Sequence, residues 1–357
     1  MPNNLQLYHK LRRQFCQWQP TERSTRIQNM ALFITGLYLS GQPHLSKIVR
    51  KWPVLGKLSS LTNRLWRFIN NPRVDVAFWY APVAQEIIRH LPVGPITLVV
   101  DTTKVGFDHR VLSIGVAFKK RTLPLVWSVH RGSKGHTKVA EQLDLFTKVA
   151  KMLPENTEIW VVGDTEFQSV RLLRWFRRCY WHFVIRQQGK NKVSWQGQSW
   201  IKLNALSLKE GQTRVIGWVR LTDKHNDGWY WLLLHWETGE DEPWYLVSDQ
   251  SGKGALLKFY RRRMWVEEMY GDMKGHGFDL EATHLKDAAR ISRLFLGICI
   301  VFVWLITLGS WVVKRGLRHL VDHKSRRDKS YFRIGWDWVE RCLSLDRPFS
   351  LHFKPYF

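Results

Sequence analysis

Apolar residues recur every three to four positions through the first quarter of the chain. The segments MALFITGLYLSG and LTNRLWRFI carry this helical spacing, and prolines at positions 20, 43, 53 and 72 mark short breaks between such segments. We therefore predict that residues 1–92 form a bundle of helices joined by short turns.

The spacing changes after Pro95, where short apolar runs replace the helical pattern. ITLVV, VLSIGVAF and TLPLVWSV predict a three-stranded meander, with Lys119, Lys120 and Arg121 in the turn between the last two strands. The elements that follow are a helix at 137–153, a strand at 158–163, a helix at 169–179 and a strand at 180–186. The resulting order, β-β-β-α-β-α-β, indicates an α/β fold.

A third pattern begins near residue 190, where short aromatic strands alternate with polar turns up to residue 248. We interpret this stretch as a β-rich insertion. A helical pattern then runs from Gly254 through Lys274, with Gly275 and Gly277 as its stop. The domains predicted from these changes are a helical region at 1–92, a core at 93–290 interrupted at about 190–250, and a helical region at 291–357.

One apolar segment bears on the class of protein. Residues 294–313, LFLGICIVFVWLITLGSWVV, contain no charge and are long enough to span a bilayer, with basic residues on both sides. The alternative is a helix that is apolar all round because it lies at the centre of a large domain. We favour the buried helix, since a membrane protein would have this as its single span, and predict no stable membrane association.

The charge balance indicates a polyanionic partner. The 357 residues include 55 Lys and Arg against 30 Asp and Glu, which gives a formal net charge of +25. Basic residues are frequent on the N-terminal helices, which favours DNA binding of the helix-turn-helix type, although a solvated basic face is the simpler alternative. The four cysteines are scattered without zinc-site spacing, which is typical of a protein in a reducing compartment without structural zinc.

Two predicted strands end in the same way. LVVDTT delivers Asp101 and WVVGDTEF delivers Asp164 to what we expect to be the carboxyl edge of an open sheet, where ligands collect. Carboxylates at that edge are suitable ligands for Mg²⁺. The simpler alternative is that each aspartate caps the next turn, but the repetition in neighbouring strands favours a site.

A third carboxylate comes from the helical segment FYRRRMWVEEMYGDMKGHG. At about 100° per residue, four of its polar residues share a face roughly 60° wide. They are Tyr260, Arg263, Glu267 and Lys274. Glu268 and Asp272 lie outside this arc, so Glu267 is the carboxylate expected to face the aspartates. An exposed helix with an Arg263–Glu267 ion pair is the alternative.

These residues resemble a known signature. Tyr260, Arg263, Glu267 and Lys274 match the YREK motif of bacterial insertion-sequence transposases of the DDE type in all four residue types and all three gaps. Asp101 and Asp164 look like the two catalytic aspartates of that family, and the β-rich stretch lies where the family has its insertion domain. The resemblance covers roughly residues 95–290, and the N-terminal helices match only in general character.

The resemblance implies a fold and a reaction. It implies an RNase H-like mixed-sheet core and a DNA transposase that cleaves element ends and transfers them into target DNA by cut-and-paste movement. Asp101, Asp164 and Glu267 would be catalytic and would hold two Mg²⁺ ions, for which Mn²⁺ can substitute. Arg263 and Lys274 would hold phosphates, Tyr260 would contact a phosphate or a base, and Arg186 would also reach DNA.

The partners implied are the terminal inverted repeats of the element, target DNA and a second copy of the chain in a paired-end complex. The location implied is the bacterial cytoplasm, in association with the nucleoid. Family members also place a tryptophan of the insertion against a flipped-out base. The candidates for that role are Trp218, Trp229, Trp231, Trp236 and Trp244.

Three other functions compete with this interpretation. A catalytically inactive or repurposed DNA-binding protein would lack or misplace one carboxylate, whereas the sequence has all three. A metal-dependent nuclease with the same core would cut DNA without joining it, and the YREK face argues against that mildly. A membrane protein would use residues 294–313 as its span.

Overall fold

The computed structural model describes residues 3–132, 135, 137–222 and 228–357. Its helices are α1 (Asn3–Trp18), α2 (Ser24–Ser40), α3 (Leu45–Val49), α4 (Leu58–Asn70), α5 (Val76–Arg89), α6 (Val139–Ala150), α7 (Val170–Arg178), α8 (Gly254–Arg261), α9 (Met264–Met273), α10 (Ala288–Lys314) and α11 (Tyr331–Ser344). Its strands are β1 (Ile96–Val105), β2 (His109–Phe118), β3 (Arg121–Arg131), β4 (Ile159–Gly163), β5 (His182–Gln187), β6 (Lys192–Ser194), β7 (Ile201–Lys202), β8 (Thr213–Leu221), β9 (Trp229–His235) and β10 (Trp244–Ser248).

The first five strands form the mixed sheet expected for the core. Their order is β3-β2-β1-β4-β5, in which β2 is antiparallel to both β1 and β3, and β1, β4 and β5 are parallel. The parallel strands are buried along their length because helices cover the sheet, which explains their continuous Val, Ile and Leu runs. The predicted α/β class and RNase H-like core are confirmed.

The β-rich insertion extends this sheet instead of folding apart from it. β10 pairs antiparallel with β5, and the order continues β10-β9-β8-β6-β7 to give ten strands in one sheet. A single buried core likewise runs from Leu7 in α1 to Phe353 near the C-terminus. The domain boundaries at 92 and 290 therefore stay predictions, because packing is continuous across both.

The helix predicted at 254–274 is two helices. Between α8 and α9 the backbone amides of Arg263 and Trp265 donate to the carbonyls three residues earlier, at 2.8 and 3.0 Å, so the helix tightens locally. Both residues at the break keep right-handed helical dihedral angles, so the chain axis is interrupted without a loop. The prediction was wrong about Lys274, which lies just beyond α9 with φ −103° and ψ −120°.

The long apolar helix α10 lies in the interior. It contacts α2, α5 and α11 and crosses β3, and 89% of its most apolar window is buried. By length and composition alone α10 is sufficient to cross a membrane, but its contacts are those of the buried-helix alternative. Helix α9 contacts both α10 and the sheet, at β1, β2 and β3.

Candidate catalytic site

Asp101 and Asp164 occupy matching positions on adjacent parallel strands. The β1–β4 register pairs Val99 with Val162, and two further residues along each chain reach Asp101 and Asp164. The β4–β5 register pairs Gly163 with Ile185, so the next residue beyond them on β5 is Arg186. The register therefore places the three residues at one level across the sheet, in a row that begins where the β1–β4 pairing ends.

The two aspartates differ in their position along the strands. Asp164 directly follows β4, as predicted. The prediction that Asp101 ends its strand was wrong, because β1 continues to Val105 and pairs Asp101 with Ser113 of β2. Only the pairing of β1 with β4 stops at Val99, which leaves Asp101 at the point where these two strands separate.

Helix α9 covers the backbone at Asp101. The Tyr270 hydroxyl is hydrogen-bonded to Ser113 Oγ at 2.7 Å and donates to the carbonyl oxygen of Asp101 at 3.3 Å. Asp101 itself is only 1% exposed. Burial, followed by the negative charge of Asp101, raises the pKa of Tyr270 well above its ordinary value, so the hydroxyl stays protonated. This hydrogen bond links the backbone at Asp101 to α9, the helix that also contains Glu267.

Asp164 has a local structural role as well. Its Oδ1 accepts a hydrogen bond of 2.9 Å from the Glu166 amide and caps the short 3₁₀ turn Thr165–Phe167. The capping alternative weighed from the sequence is therefore real for Asp164. Capping uses one carboxylate oxygen, and the charge of Asp164 also acts on Arg263 and Tyr260.

Arg263 is a positively charged residue on which all three predicted catalytic carboxylates act. Its Nη2 donates to Glu267 Oε1 at 2.5 Å, and its side chain is 13% exposed. Burial by itself lowers the pKa of the guanidinium, but neighbouring negative charges outweigh burial and raise it above its ordinary value. The groups responsible are Tyr260, whose phenol is charged only at high pH, and the carboxylates of Asp101, Glu267 and Asp164. All three predicted catalytic carboxylates thus act on one arginine.

The carboxylates do not form a finished metal site in this conformation. Within the described ranges, no group of three or more His, Cys, Asp or Glu side chains is arranged to hold a metal ion. Of the three carboxylates, Glu267 has the side chain with most freedom to change its rotamer, because it is 46% exposed. Its present partner is Arg263. In this conformation Glu267 is paired with Arg263, and Asp101 and Asp164 act on the same guanidinium through their charge.

The neighbouring acids on α9 face elsewhere. Glu268 and Asp272 both pair with Arg121 of β3, at 3.0 and 2.5 Å. Burial raises the pKa of Asp272, although its ion pair with Arg121 opposes the shift. The separation expected from helical spacing is confirmed, since Glu267 lies on the side of Arg263 and the other two acids lie on the side of Arg121.

Tyr260 is part of the core. It is 2% exposed, and its ring packs edge-on against Trp244 with 5.0 Å between centroids. Burial raises its pKa to about 12. The expectation of a polar helix face does not fit Tyr260, and its ring is not accessible to a base in this conformation.

Lys274 and Arg186, the other two basic residues predicted to contact DNA, each form an ion pair with an exposed glutamate. Lys274 Nζ contacts Glu281 at 2.6 Å, and Arg186 Nη2 contacts Glu242 at 2.6 Å. The two glutamates are 54% and 74% exposed, so these pairs contribute little to stability. Both cations can therefore exchange their carboxylate for another anion at small cost.

Sequence reasoning missed Glu166. Its Oε1 accepts from the Thr137 amide at 2.8 Å, and its carbonyl accepts from Gln142, so it ties the start of α6 to the turn after β4. Its charge also contributes to the raised pKa of Tyr270. The feature of the sequence that could have indicated Glu166 is its position two residues after Asp164.

The structure separates the five tryptophans of the insertion by exposure. Trp244 is buried, Trp231 and Trp236 are partly buried, and Trp218 and Trp229 are 44% and 47% exposed. Arg220 lies over the ring of Trp229 at 5.1 Å. A bulge before Gly217 shifts the register of β8, after which Trp218 is paired with Trp231 across the β8–β9 ladder.

Comparison with known proteins gives one family match. The model of a family described as "Transposase DDE domain" matches residues 99–304, more than half of the chain. No curated protein matches the chain significantly. Among solved structures the chain is similar to a cryo-EM structure of the piggyBac transposase synaptic complex with hairpin DNA, with 10% identity, a TM-score of 0.43, and coverage of 96% of this chain and 83% of that chain.

Proposed function

We propose, since this chain belongs to the transposase DDE-domain family, that it cleaves DNA at the ends of a mobile element and joins those ends to target DNA. The observation that carries the proposal is the action of Asp101, Asp164 and Glu267 on a single arginine beside an RNase H-like sheet. The three carboxylates come from separate parts of the chain, and two-metal phosphodiester chemistry uses acidic ligands of this kind.

The residues fit a pair of divalent cations. Carboxylate oxygens are the ligands that Mg²⁺ and Mn²⁺ prefer, and Arg263 shows that the local negative charge already holds a cation. We assign Asp101, Asp164 and Glu267 as the ligands. When bound, the ions activate the attacking oxygen and stabilise the leaving oxygen of the phosphodiester.

The basic residues bind the DNA backbone in this proposal. Arg263 is released towards a phosphate when Glu267 turns to the aspartates, and its planar guanidinium suits bidentate contact with phosphate oxygens. Lys274 and Arg186 exchange their exposed glutamates for phosphates on either side. Tyr260 contributes through packing, because its buried ring holds α8 against the insertion strand that contains Trp244.

Several finer assignments belong to the same proposal. The YREK match supports an origin in a bacterial insertion sequence, and with it cut-and-paste movement, a dimeric paired-end complex and work at the nucleoid. Exposure supports Trp218 and Trp229 as the residues that stack on an unpaired base. Stacking contributes about 1–3 kcal/mol per base, so Trp218→Ala or Trp229→Ala should weaken binding to end DNA with an unpaired base more than to intact duplex.

The proposal is tested with purified protein and DNA that carries the element's ends and flanks, with Mg²⁺ or with chelator. We expect nicking and strand joining only with metal. Asp101→Asn, Asp164→Asn and Glu267→Gln should each remove both steps and leave DNA binding intact. Glu268→Gln is the matched control, because Glu268 is one residue away on α9 and faces Arg121.

The outcomes separate the competing functions. Metal-dependent cutting without joining identifies a nuclease, and DNA binding without cutting identifies an inactive transposase. Cleavage that survives all three carboxylate substitutions contradicts the site.

A further inference from the structure

The turn between β2 and β3 is built from residues that suit it poorly. Phe118 pairs with Arg121, which leaves Lys119 and Lys120 as a two-residue turn with φ of +44° and +63°. Such turns favour Asn-Gly because both positions are left-handed, and a lysine Cβ is unfavourable at either position. Two consecutive lysines are retained here in spite of the backbone strain.

The turn lies beside the end of α10. Lys119 Nζ is 5.7 Å from the ring of Tyr331, and Lys314 Nζ is 4.2 Å from the ring of Tyr356. Burial and then the charge of Lys314 lower the pKa of Lys119. Within the part of the chain that the structure describes, neither lysine forms an ion pair with a carboxylate, so like charges face each other without compensation.

A basic pocket adjoins Lys314. Its volume is about 590 Å³, and it is lined by Val313, Gly316, Arg318, His319, His323, Lys324 and Arg327. Arg318 is neutralised by Asp322 at 2.6 Å. Among the described residues Lys324 and Arg327 have no carboxylate partner, so the pocket has uncompensated positive charge.

Backbone strain recurs at the basic residues of this region. Nine non-glycine residues of the described chain have positive φ, and three of the nine are basic. Those three are Lys119, Lys120 and Arg327. Strained positions persist where function favours them, and here every strained cation lies at the same end of the molecule.

We propose that Lys119, Lys120, Lys314, Lys324 and Arg327 form a second basic surface that binds the phosphate backbone of duplex DNA away from the catalytic row. The surface is distinct in position. Asp101 pairs with Ser113, and the turn at Lys119 lies six residues further along β2, roughly 20 Å away. That distance corresponds to about six base pairs of duplex at 3.4 Å per pair.

The identity of the anion as DNA rests on the proposed function, whereas the existence of the surface rests on charge and geometry. The negative charge of bound phosphates would offset the repulsion between the lysines, and binding would also release counterions from the DNA. Because phosphates are sequence-independent, this surface should position DNA and contribute no base specificity.

The turn provides a discriminating variant. Lys119→Asn with Lys120→Gly removes two charges and supplies the residues that the turn prefers, so thermal stability should stay the same or rise. Affinity for duplex DNA in chelator should fall roughly tenfold or more at about 0.1 M salt, and the slope of log affinity against log salt should decrease by about 2. A loss of affinity through misfolding would lower stability, so the two effects are separable.

The pocket is tested in the same way with Lys324→Gln and Arg327→Gln. The matched control is Lys148→Gln with Lys151→Gln, which removes two exposed cations of α6 and its C-terminal end. We expect the control to bind duplex DNA as the parent does. A duplex without element ends and free inorganic phosphate serve as two further ligands, and phosphate should compete only weakly if the surface spans several backbone groups.

The results distinguish this surface from the catalytic proposal. Unchanged affinity and salt slope in both the turn and the pocket variants overturn the surface, even if Asp101→Asn abolishes cleavage. Weakened binding by these variants supports the surface, even if no cleavage is observed with any metal. Saturation of the pocket by phosphate alone, with no effect on duplex binding, also overturns it.

Discussion

At the scale of single residues, Arg263 links acidic side chains from three parts of the chain, of which Asp101 is buried. Asp101 is 1% exposed, and an ionised carboxylate at that depth requires a compensating charge. The guanidinium of Arg263 is such a charge, because Asp101 is one of the groups that raise its pKa. A divalent cation at the carboxylates would perform the same electrostatic function.

Removal of Arg263 should therefore have a consequence that depends on metal. In chelator, Arg263→Gln leaves buried carboxylate charge uncompensated and should lower the free energy of unfolding by about 3 kcal/mol. Saturating Mg²⁺ should restore most of that loss. Denaturant unfolding with and without Mg²⁺ measures both quantities, and Arg262→Gln, whose side chain bonds to Thr97, is the control that Mg²⁺ should not rescue. An equal loss in both conditions would show that the carboxylates do not bind the ion.

Tyr260 gives a prediction about pH. Its pKa in the folded protein is raised from 10.0 to about 12, so folding favours the neutral phenol. The stability from this group is fully present below pH 10 and is lost as the pH rises through 12. A shift of two pKa units corresponds to about 2.7 kcal/mol.

Comparison of the parent with Tyr260→Phe isolates this group from the other buried tyrosines. The difference in unfolding free energy between the two proteins should be constant below pH 10. It should then move in favour of the phenylalanine variant by about 2.3 kcal/mol at pH 12, and the full ~2.7 kcal/mol is reached only above that pH. Parallel profiles across this range would show that the Tyr260 phenol titrates normally.

At the scale of elements, local sequence patterns predicted the strands and helices of the core but did not predict where each of them ends. The runs around Val99 and Val162 predicted β1 and β4 correctly, because buried parallel strands are continuously apolar. The position of Asp101 was predicted wrongly, since β1 continues by pairing with β2 after β4 has ended, and strand pairing is not a local property. The grouping of the three carboxylates by resemblance and spacing stays a prediction, and the spacing indicated the ion pair of Arg263 with Glu267 but not the influence of Asp101 and Asp164 on the same guanidinium.

Other differences also have physical causes. The break between α8 and α9 falls at Arg262 and Arg263, which are both good helix formers, so propensity gives no warning of it. The insertion joins the main sheet through β5 and β10, a pairing between residues about 60 positions apart that no window of sequence contains. Glu166 is revealed as a neighbour of Tyr270 only once the turn after β4 is known.

The contact between α10 and α11 depends on two glycines. A Cβ added at Gly309 would lie 1.9 Å from the Tyr331 carbonyl oxygen, and one added at Gly335 would lie 1.9 Å from that of Leu305. Gly309→Ala should therefore destabilise the protein by about 2 kcal/mol through overpacking. Gly254→Ala is the control, because its Cβ meets nothing within 4 Å and alanine favours a helix. Thermal unfolding of both variants checks this, and equal stability would show that the helices are further apart.

At the scale of the whole molecule, charge and burial account for the two extreme features of the sequence. The net charge of +25 is large for a domain with one continuous core, and in the proposed function duplex DNA supplies the compensating charge. The most apolar segment is the helix around which that core is built. A basic exterior around a buried central helix is consistent with a DNA-processing enzyme.

The central claim is that Asp101, Asp164 and Glu267 together hold divalent ions. Crystals of the protein with Mn²⁺ test this most directly through anomalous scattering. The account predicts two peaks about 3.5–4 Å apart, within coordinating distance of all three carboxylates, and their loss in Asp101→Asn. Peaks located elsewhere, or peaks that persist unchanged in Asp101→Asn, would contradict it.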